Sequence, residues 1–218
     1  MRLKDMTNVE RRDKGLPYKP DHEIYEQLEK ARILMEKLNH AHHSDLNEIR
    51  AIEKELLGKS KNLLINPPFY CDFGFNIEVG DRFFANFNCT FLDTGKIIIG
   101  DNCLIGPNVS IYTSGHPIHP DSRNCIPVYA KGVTIGDNCW IGGNVVICPG
   151  VQIGSNVVIG AGSVVTRDIP DWSVAVGNPC RVIRKITDED RKYYYKDNMF
   201  DEESWQCIIE QGYAGEKK

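Results

Sequence analysis

Residues 133–165 read VTIGDNCWIGGNVVICPGVQIGSNVVIGAGSVV. Ile135, Ile141, Ile147, Ile153, Ile159 and Val165 fall in this stretch at every sixth residue. Gly136, Gly142, Gly154 and Gly160 follow four of them. A small residue stands four places on in each repeat: Cys139, Val145, Val151, Val157 and Ser163. A period of six matches neither the 3.6 residues of a helical turn nor the two-residue alternation of a strand. It matches a parallel β-helix, in which each hexamer is one short strand with its turn. The aliphatic residue then points into the core, and Gly or Asn is expected at the turns that need φ > 0.

The frame continues both ways. Upstream, Ile99, Ile105 and Ile111 are in phase, and beyond a two-residue slip at Thr94-Gly95 come Val79, Ala85 and Phe91. Downstream, Val176-Gly177 and Val182 are expected to resume it after an interruption at residues 168–173. Between Ile111 and Ile135 the sixth positions hold Pro117, Arg123 and Tyr129, none of them an aliphatic core residue. Residues 113–132 are therefore read as a loop thrown out of the stack. It carries Ser114-Gly115-His116-Pro117-Ile118-His119, and a long loop on a rigid scaffold is a customary place for function.

Composition changes at both ends. Of residues 1–60, 24 are charged, whereas residues 133–166 contain only Asp137, which puts a boundary near residues 58–66. The expected organisation is a helical cap over residues 1–60, a β-helix over 61–186 with its extruded loop, and a C-terminal helix and tail over 187–218. Ile24, Leu28, Ala31, Met35 and Leu38 predict a helix over residues 21–39 with Asp21 as N-cap. A second helix is expected to start with Ser44 as N-cap, turn Leu46, Ile49, Ile52 and Leu56 inward, and end with Gly58 at C′. Such a hairpin would cover an open end of the solenoid. Thr187, with Asp190 three residues on, predicts the cap of a C-terminal helix, in a charged and aromatic stretch that includes Tyr193, Tyr194 and Tyr195. Residues from about 212 read as frayed.

A net charge of −4 offers no case for binding nucleic acid or an anionic membrane. No apolar run reaches the roughly 20 residues of a membrane span, and residues 1–20 lack a signal-peptide core, so a cytosolic setting is expected. The eight cysteines form no CxxC pair. Cys89, Cys103 and Cys139 fall in the small inward slot of the hexamer and read as compact core residues.

His116 stands early in the extruded loop, and an imidazole is suited to taking a hydroxyl proton near neutral pH. A structural Gly-His-Pro turn is the competing reading. His119 could join it on a metal, but a zinc site would need His22, His40, His42, His43 or another chain as well, and no metal is expected to be required. Asn86, Asp72 and Asp93 could each be turn residues. Arg167, Arg181 and Arg184 cluster near the end of the coils, either as a solvated rim or as a site for a phosphorylated ligand.

Five segments carry a resemblance: Phe69-Tyr70-Cys71-Asp72-Phe73-Gly74, Ala85-Asn86-Phe87-Asn88, Thr113-Ser114-Gly115-His116-Pro117-Ile118-His119, Asp137-Asn138-Cys139-Trp140-Ile141-Gly142-Gly143 and Gly177-Asn178-Pro179-Cys180-Arg181-Val182-Ile183. Together they resemble the maltose/galactoside O-acetyltransferases over about residues 10–195. The resemblance implies a mainly β, left-handed parallel β-helix with an N-terminal helical hairpin, acetyl-CoA as co-substrate, and a homotrimer with sites at subunit interfaces. It implies His116 as general base and Asn86 as holding the acceptor and transition state. Asp72 and Asp93 would line the acceptor site, and Gly143, Ala161, Thr166, Arg167, Arg181 and Arg184 would line acetyl-CoA. The chain departs from the family at Asp93-Thr94, where the galactoside enzyme has Asp-Asp. It departs again at Asp72, which replaces a serine, and at Gly143, which replaces a serine that meets the cofactor.

The expectation is direct transfer of acetyl to a sugar hydroxyl, of maltose/glucose or galactoside type. No cysteine adjoins His116 in sequence to form an acyl-enzyme, although Cys125 is open as a spatial neighbour. Antibiotic or serine acceptors are the rivals within acetyltransferases, and a zinc hydratase or a non-catalytic scaffold are the rivals outside them.

Overall fold

The computed structural model describes residues 5–42, 44–125 and 128–210. They form two compact units, one ending at Lys185 and one beginning at Ile186.

The first unit is a parallel β-solenoid whose coils lay one short strand on each of three faces. The seven-stranded face orders Leu63–Ile65, Phe83–Ala85, Leu104–Ile105, Trp140–Ile141, Val158–Ile159, Ser173–Val176 and finally Arg181–Lys185. The five-stranded face stacks Phe69–Cys71, Cys89–Leu92, Ser110–Tyr112, Val146–Ile147 and Val164–Val165. The four-stranded face stacks Ile77–Val79, Ile97–Ile99, Val133–Ile135 and Gln152–Ile153. Within these faces all pairs are parallel except the last, Ser173–Val176 with Arg181–Lys185. Ile135 faces Ile153, eighteen residues on, and Ile99 faces Ile135, twice that distance. The extra length is the extruded loop. The earlier coils are two residues longer, as Val79↔Ile99 and Phe91↔Ile111 show, and they accommodate the slip at Thr94-Gly95.

Each predicted inward residue from Val79 to Val165 is buried, and so are the small slots Cys89, Cys103, Cys139, Val145, Val151, Val157 and Ser163. The turns depart from expectation in an instructive way. Positive φ falls on Asn88, Asn102, Asn108, Asn138, Asn144 and Asn156, whereas the glycines after the isoleucines have ordinary φ. Those glycines are required by close approach: a Cβ on Gly106 would lie 2.6 Å from Gly143 N, and one on Gly142 would lie 2.6 Å from Ala161 N. Coils stack at about 4.8 Å, and a side chain pointing along the axis has no room.

The frame also ends differently. Ile169 is buried and bridges to Ile153, so residues 168–173 do not fully interrupt it. Ala175, not Val176, is the inward residue, and Val182 is 40% exposed on the antiparallel closing strand.

Three helices, α1 (Asn8–Asp13), α2 (His22–His40) and α3 (Leu46–Leu56), precede the coils. Asp21 caps α2 by accepting from Ile24 N, as its position predicts. Asp45, not Ser44, caps α3, because its carboxylate reaches Glu48 N; Leu46 is accordingly 46% exposed rather than inward. Gly58 follows the C-cap Leu57, where a Cβ would collide with the Phe75 carbonyl.

The helices and the segment after them close the edge of the first coil on all three faces. Glu53 Oε1 accepts from Ile65 N (2.7 Å), the Asn39 amide pairs with both backbone groups of Phe69 (2.8 and 3.0 Å), and Gly58 N donates to Ile77 O (3.0 Å). An open strand edge would otherwise invite pairing with another chain.

In the second unit Thr187 and Asp190 form the predicted capping box, but the element is a short 3₁₀ turn, Asp188–Lys192. The three tyrosines then form a strand, Tyr193–Tyr195, paired antiparallel with Asn198–Met199, and the helix comes later, at Glu202–Glu210. Bulky aromatic side chains favour a pleated strand over a helix. The tail from residue 212 lies outside the described residues.

Candidate active site

The extruded loop is ordered from its root. Thr113 is fully buried; its hydroxyl donates to Leu92 O (2.7 Å) and accepts from Gly95 N (2.8 Å). Ser114–Gly115 then pairs antiparallel with Tyr129–Ala130, and Lys131 N donates to Thr113 O (2.8 Å), so the loop leaves and rejoins the stack as a short hairpin. Between its limbs lie His116 and the one-and-a-half-turn helix α4 (Pro120–Cys125). Arg123 of α4 donates to Ile118 O (2.9 Å), which pins the turn that follows His116. His116 is exposed on this hairpin. His119 Nδ1 lies 3.7 Å from Asp121 Oδ2. Among the described residues no three His, Cys, Asp or Glu side chains converge as a metal site would require.

Asp93 sits one coil before Thr113 at the same corner, between the five- and four-stranded faces. Its carboxylate is fully buried and accepts from Asp72 N (3.0 Å), Phe73 N (2.8 Å) and Asn76 N (3.2 Å). Burial pushes its pKa up to about 6, against the pull of those backbone N–H groups. Asp93 is thus largely consumed in holding the corner, and the accessible carboxylate there is Asp72. Burial raises Asp72, while the Thr94 hydroxyl, donating to its Oδ2 at 3.1 Å, and the charge of Arg32 pull it down. Tyr18, only 3% exposed, turns its hydroxyl toward Thr94 and Asp72. Burial lifts its pKa to about 12. Thr94, which the sequence marks only as a departure from the family's Asp-Asp, thus meets Asp72 here. Nothing in the local sequence pattern marks Tyr18 or Arg32.

Asn86 lies at a different corner, between the seven- and five-stranded faces. Its Oδ1 accepts from Phe87 N (2.8 Å), so the donor end of the amide is Nδ2. Register carries that corner along the stack: Ala85, Ile105, Ile141 and Ile159 are in line, so Gly142 and Gly160 stand above Asn86, and Gly143 and Ala161 above its neighbour Phe87, along one edge. Thr166 and Arg167 belong to the other column. They follow Val165, which is in line with Ile147, Ile111 and Phe91. Arg181 and Arg184 are exposed on the closing strand of the seven-stranded face.

One chain therefore places the predicted residues other than Arg181 and Arg184 on the two edges of the five-stranded face. Asn86, Gly143 and Ala161 line one edge; Asp72, Asp93, Thr166, Arg167 and the root of the His116 loop line the other. The strand Cys89–Leu92 separates the edges by about 13 Å, at ~3.3 Å per residue. Asp72 and Asp93 are brought together, and Asn86 is not brought to them.

Comparison with known proteins agrees with this architecture. The bacterial transferase hexapeptide (six repeats) pattern matches residues 132–167, and the maltose acetyltransferase hexapeptide capping motif matches residues 13–61. The galactoside O-acetyltransferase of Escherichia coli (strain K12) is 47% identical over 169 residues, 77% of this chain and 83% of that protein. The crystal structure of a maltose O-acetyltransferase from Clostridium difficile 630 superposes with a TM-score of 0.83 at 47% identity, covering 84% of this chain and 99% of the other. A galactoside acetyltransferase in complex with coenzyme A superposes with a TM-score of 0.85 at 42% identity, covering 90% and 100%. With its solenoid, capping helices and extruded histidine loop, this chain belongs to the maltose/galactoside family of hexapeptide-repeat O-acetyltransferases.

Proposed function

We propose that the protein transfers acetyl from acetyl-CoA to a hydroxyl of a sugar of maltose/glucose or galactoside type, at sites built between the copies of a homotrimer. The observation that carries this reading is the division of the site residues between the two edges of one face. Packing three copies about a threefold axis would set the Asn86–Gly143–Ala161 edge of one subunit against the His116–Asp72 edge of the next, and cyclic symmetry would close the assembly. The seven-stranded face suits such contact, since its outward residues Phe84, Leu104, Trp140, Val158 and Val174 are apolar on every coil. Leu104 and Trp140 are more than half exposed in the single chain. The eight free cysteines fit a reducing, cytosolic compartment.

In this reading the His116 imidazole removes the proton of the acceptor hydroxyl as its oxygen attacks the thioester carbonyl carbon. The Asn86 amide donates to the oxyanion of the tetrahedral intermediate. The C–S bond then breaks, the acetyl ester leaves on the sugar, and His116 returns its proton to the thiolate. The thioester supplies the leaving group, so positioning and one base suffice. Asp72 orients the acceptor, and the edge at Gly143 and Ala161, which carries nothing larger than a methyl, lets the cofactor approach the backbone. Arg181 and Arg184 meet its phosphates.

A screen of sugars, serine and hydroxylated antibiotics, read by release of free thiol from acetyl-CoA, tests the reading. Turnover is expected with a glucose- or galactose-type sugar. Turnover with serine or an antibiotic alone would overturn the acceptor class. Monomeric protein with full turnover in light scattering would overturn the shared site.

A further inference from the structure

Residues 15–18 touch the extruded loop at two points, and neither contact belongs to the coil ladder. The ladder bypasses the loop, since Ile99 pairs directly with Ile135. Yet Tyr18 N donates to Val128 O (2.9 Å) in an antiparallel bridge to the returning limb. Gly15, at φ +65°, brings its backbone so near that a Cβ would lie 2.6 Å from Ala130 O. The next contact is internal to the loop: the Tyr129 ring lies on Gly115, where a Cβ would meet its hydroxyl at 2.6 Å, and Gly115 adjoins His116. At its other end the Tyr18 ring is buried with Ile24 and Phe73, its hydroxyl toward Thr94 and Asp72.

We propose that residues 15–18 brace the loop and set His116 against the Asp72–Thr94 corner, with Tyr18 as the positioning residue. This rests on His116 as the base. The ring anchors the brace and the backbone carries it to Val128, so the phenol ring matters more than its hydroxyl.

Misplacing a reacting group by about 1 Å can cost ~10²-fold, which sets the expected loss of kcat in Tyr18→Ala. The KM for acetyl-CoA should stay within about twofold, because the brace touches no predicted cofactor residue. Tyr18→Phe keeps the ring and should retain kcat within about threefold. The decisive measurement is the double variant. If Tyr18 acts through His116, Tyr18→Ala/His116→Ala is no slower than His116→Ala alone.

Losses that multiply, or a Tyr18→Ala protein with wild-type kcat, would overturn the brace while leaving the base intact. A mild His116→Ala would instead overturn the catalytic reading. Should Tyr18→Ala fail to fold, Gly15→Ala tests the other end: it drives a methyl into the Ala130 carbonyl and should lower kcat in the same way. A folded Gly15→Ala protein with wild-type kcat would refute the proposal.

Discussion

Glu53→Gln should stabilise the protein at pH 8 and leave it nearly unchanged at pH 5. Glu53 lies in α3 with no exposed surface, its Oε1 on Ile65 N and its Oε2 without a partner among the described residues. Burial pushes its pKa from 4.5 up to about 7, while the Ile65 N–H and the charge of Arg50 oppose the rise. A folded-state pKa above the unfolded one means that the native protein holds the proton more tightly. The stability tied to this group is fully present below pH 4.5 and is lost as pH rises through 7. At about 1.4 kcal/mol per unit, the gap corresponds to ~3 kcal/mol of native-state cost at pH 8, an upper figure that relaxation around Oε2 would reduce. Glutamine keeps the acceptor for Ile65 and mimics the protonated acid, so it should recover most of that cost. Thermal unfolding of both proteins at equal concentration reads the difference as a rise of ~2–4 °C per kcal/mol at pH 8. Other carboxylates, Asp93 included, titrate in both proteins and cancel. An equal difference at the two pH values, or a less stable glutamine variant at pH 8, would refute the reasoning.

Ile141 is fully buried, so Ile141→Asp should cost more than about 4 kcal/mol and yield insoluble or unfolded protein. Asp137→Ala, which removes only the acceptor of Asp101 N at an exposed corner, should cost about 1 kcal/mol or less by urea unfolding. Asp93→Ala strands the N–H groups of Asp72, Phe73 and Asn76 and should cost at least about 3 kcal/mol, with Asp93→Asn recovering part of it. Wild type should prefer acetyl-CoA over its 3′-dephospho analogue roughly tenfold in kcat/KM, and Arg181→Ala or Arg184→Ala should abolish that preference by weakening acetyl-CoA alone. If both variants keep the preference, the phosphate is held elsewhere.

The solenoid was legible because its signal is local and repeated: each in-phase isoleucine from Ile99 to Ile159 reports the same inward slot. The extruded loop was legible as the place where that signal stops. The glycine rule was only half legible, since a demand for φ > 0 and a demand for close approach both select glycine. Only the stacked coils show that Asn138 meets the first demand and Gly142 the second. The slip to Ala175 was hidden because valine at 176 fits the period equally well. The site was legible as separate residues on the strength of the resemblance. The Tyr18–Thr94–Asp72 grouping was not, because it joins positions far apart in sequence that no periodicity relates. Asp93 shows the limit most plainly: the resemblance implied an acceptor-site residue, the residue alone only a turn, and its carboxylate accepts from three backbone N–H groups that no local pattern reveals.

The central claim is that His116 takes the acceptor proton. Steady-state kinetics of His116→Ala, with acetyl-CoA binding followed in parallel by calorimetry, tests it most directly. The account predicts kcat lower by roughly 10² to 10⁴ with acetyl-CoA affinity unchanged within about twofold. Retention of more than about a third of wild-type turnover would make His116 a structural residue of the loop and contradict the mechanism.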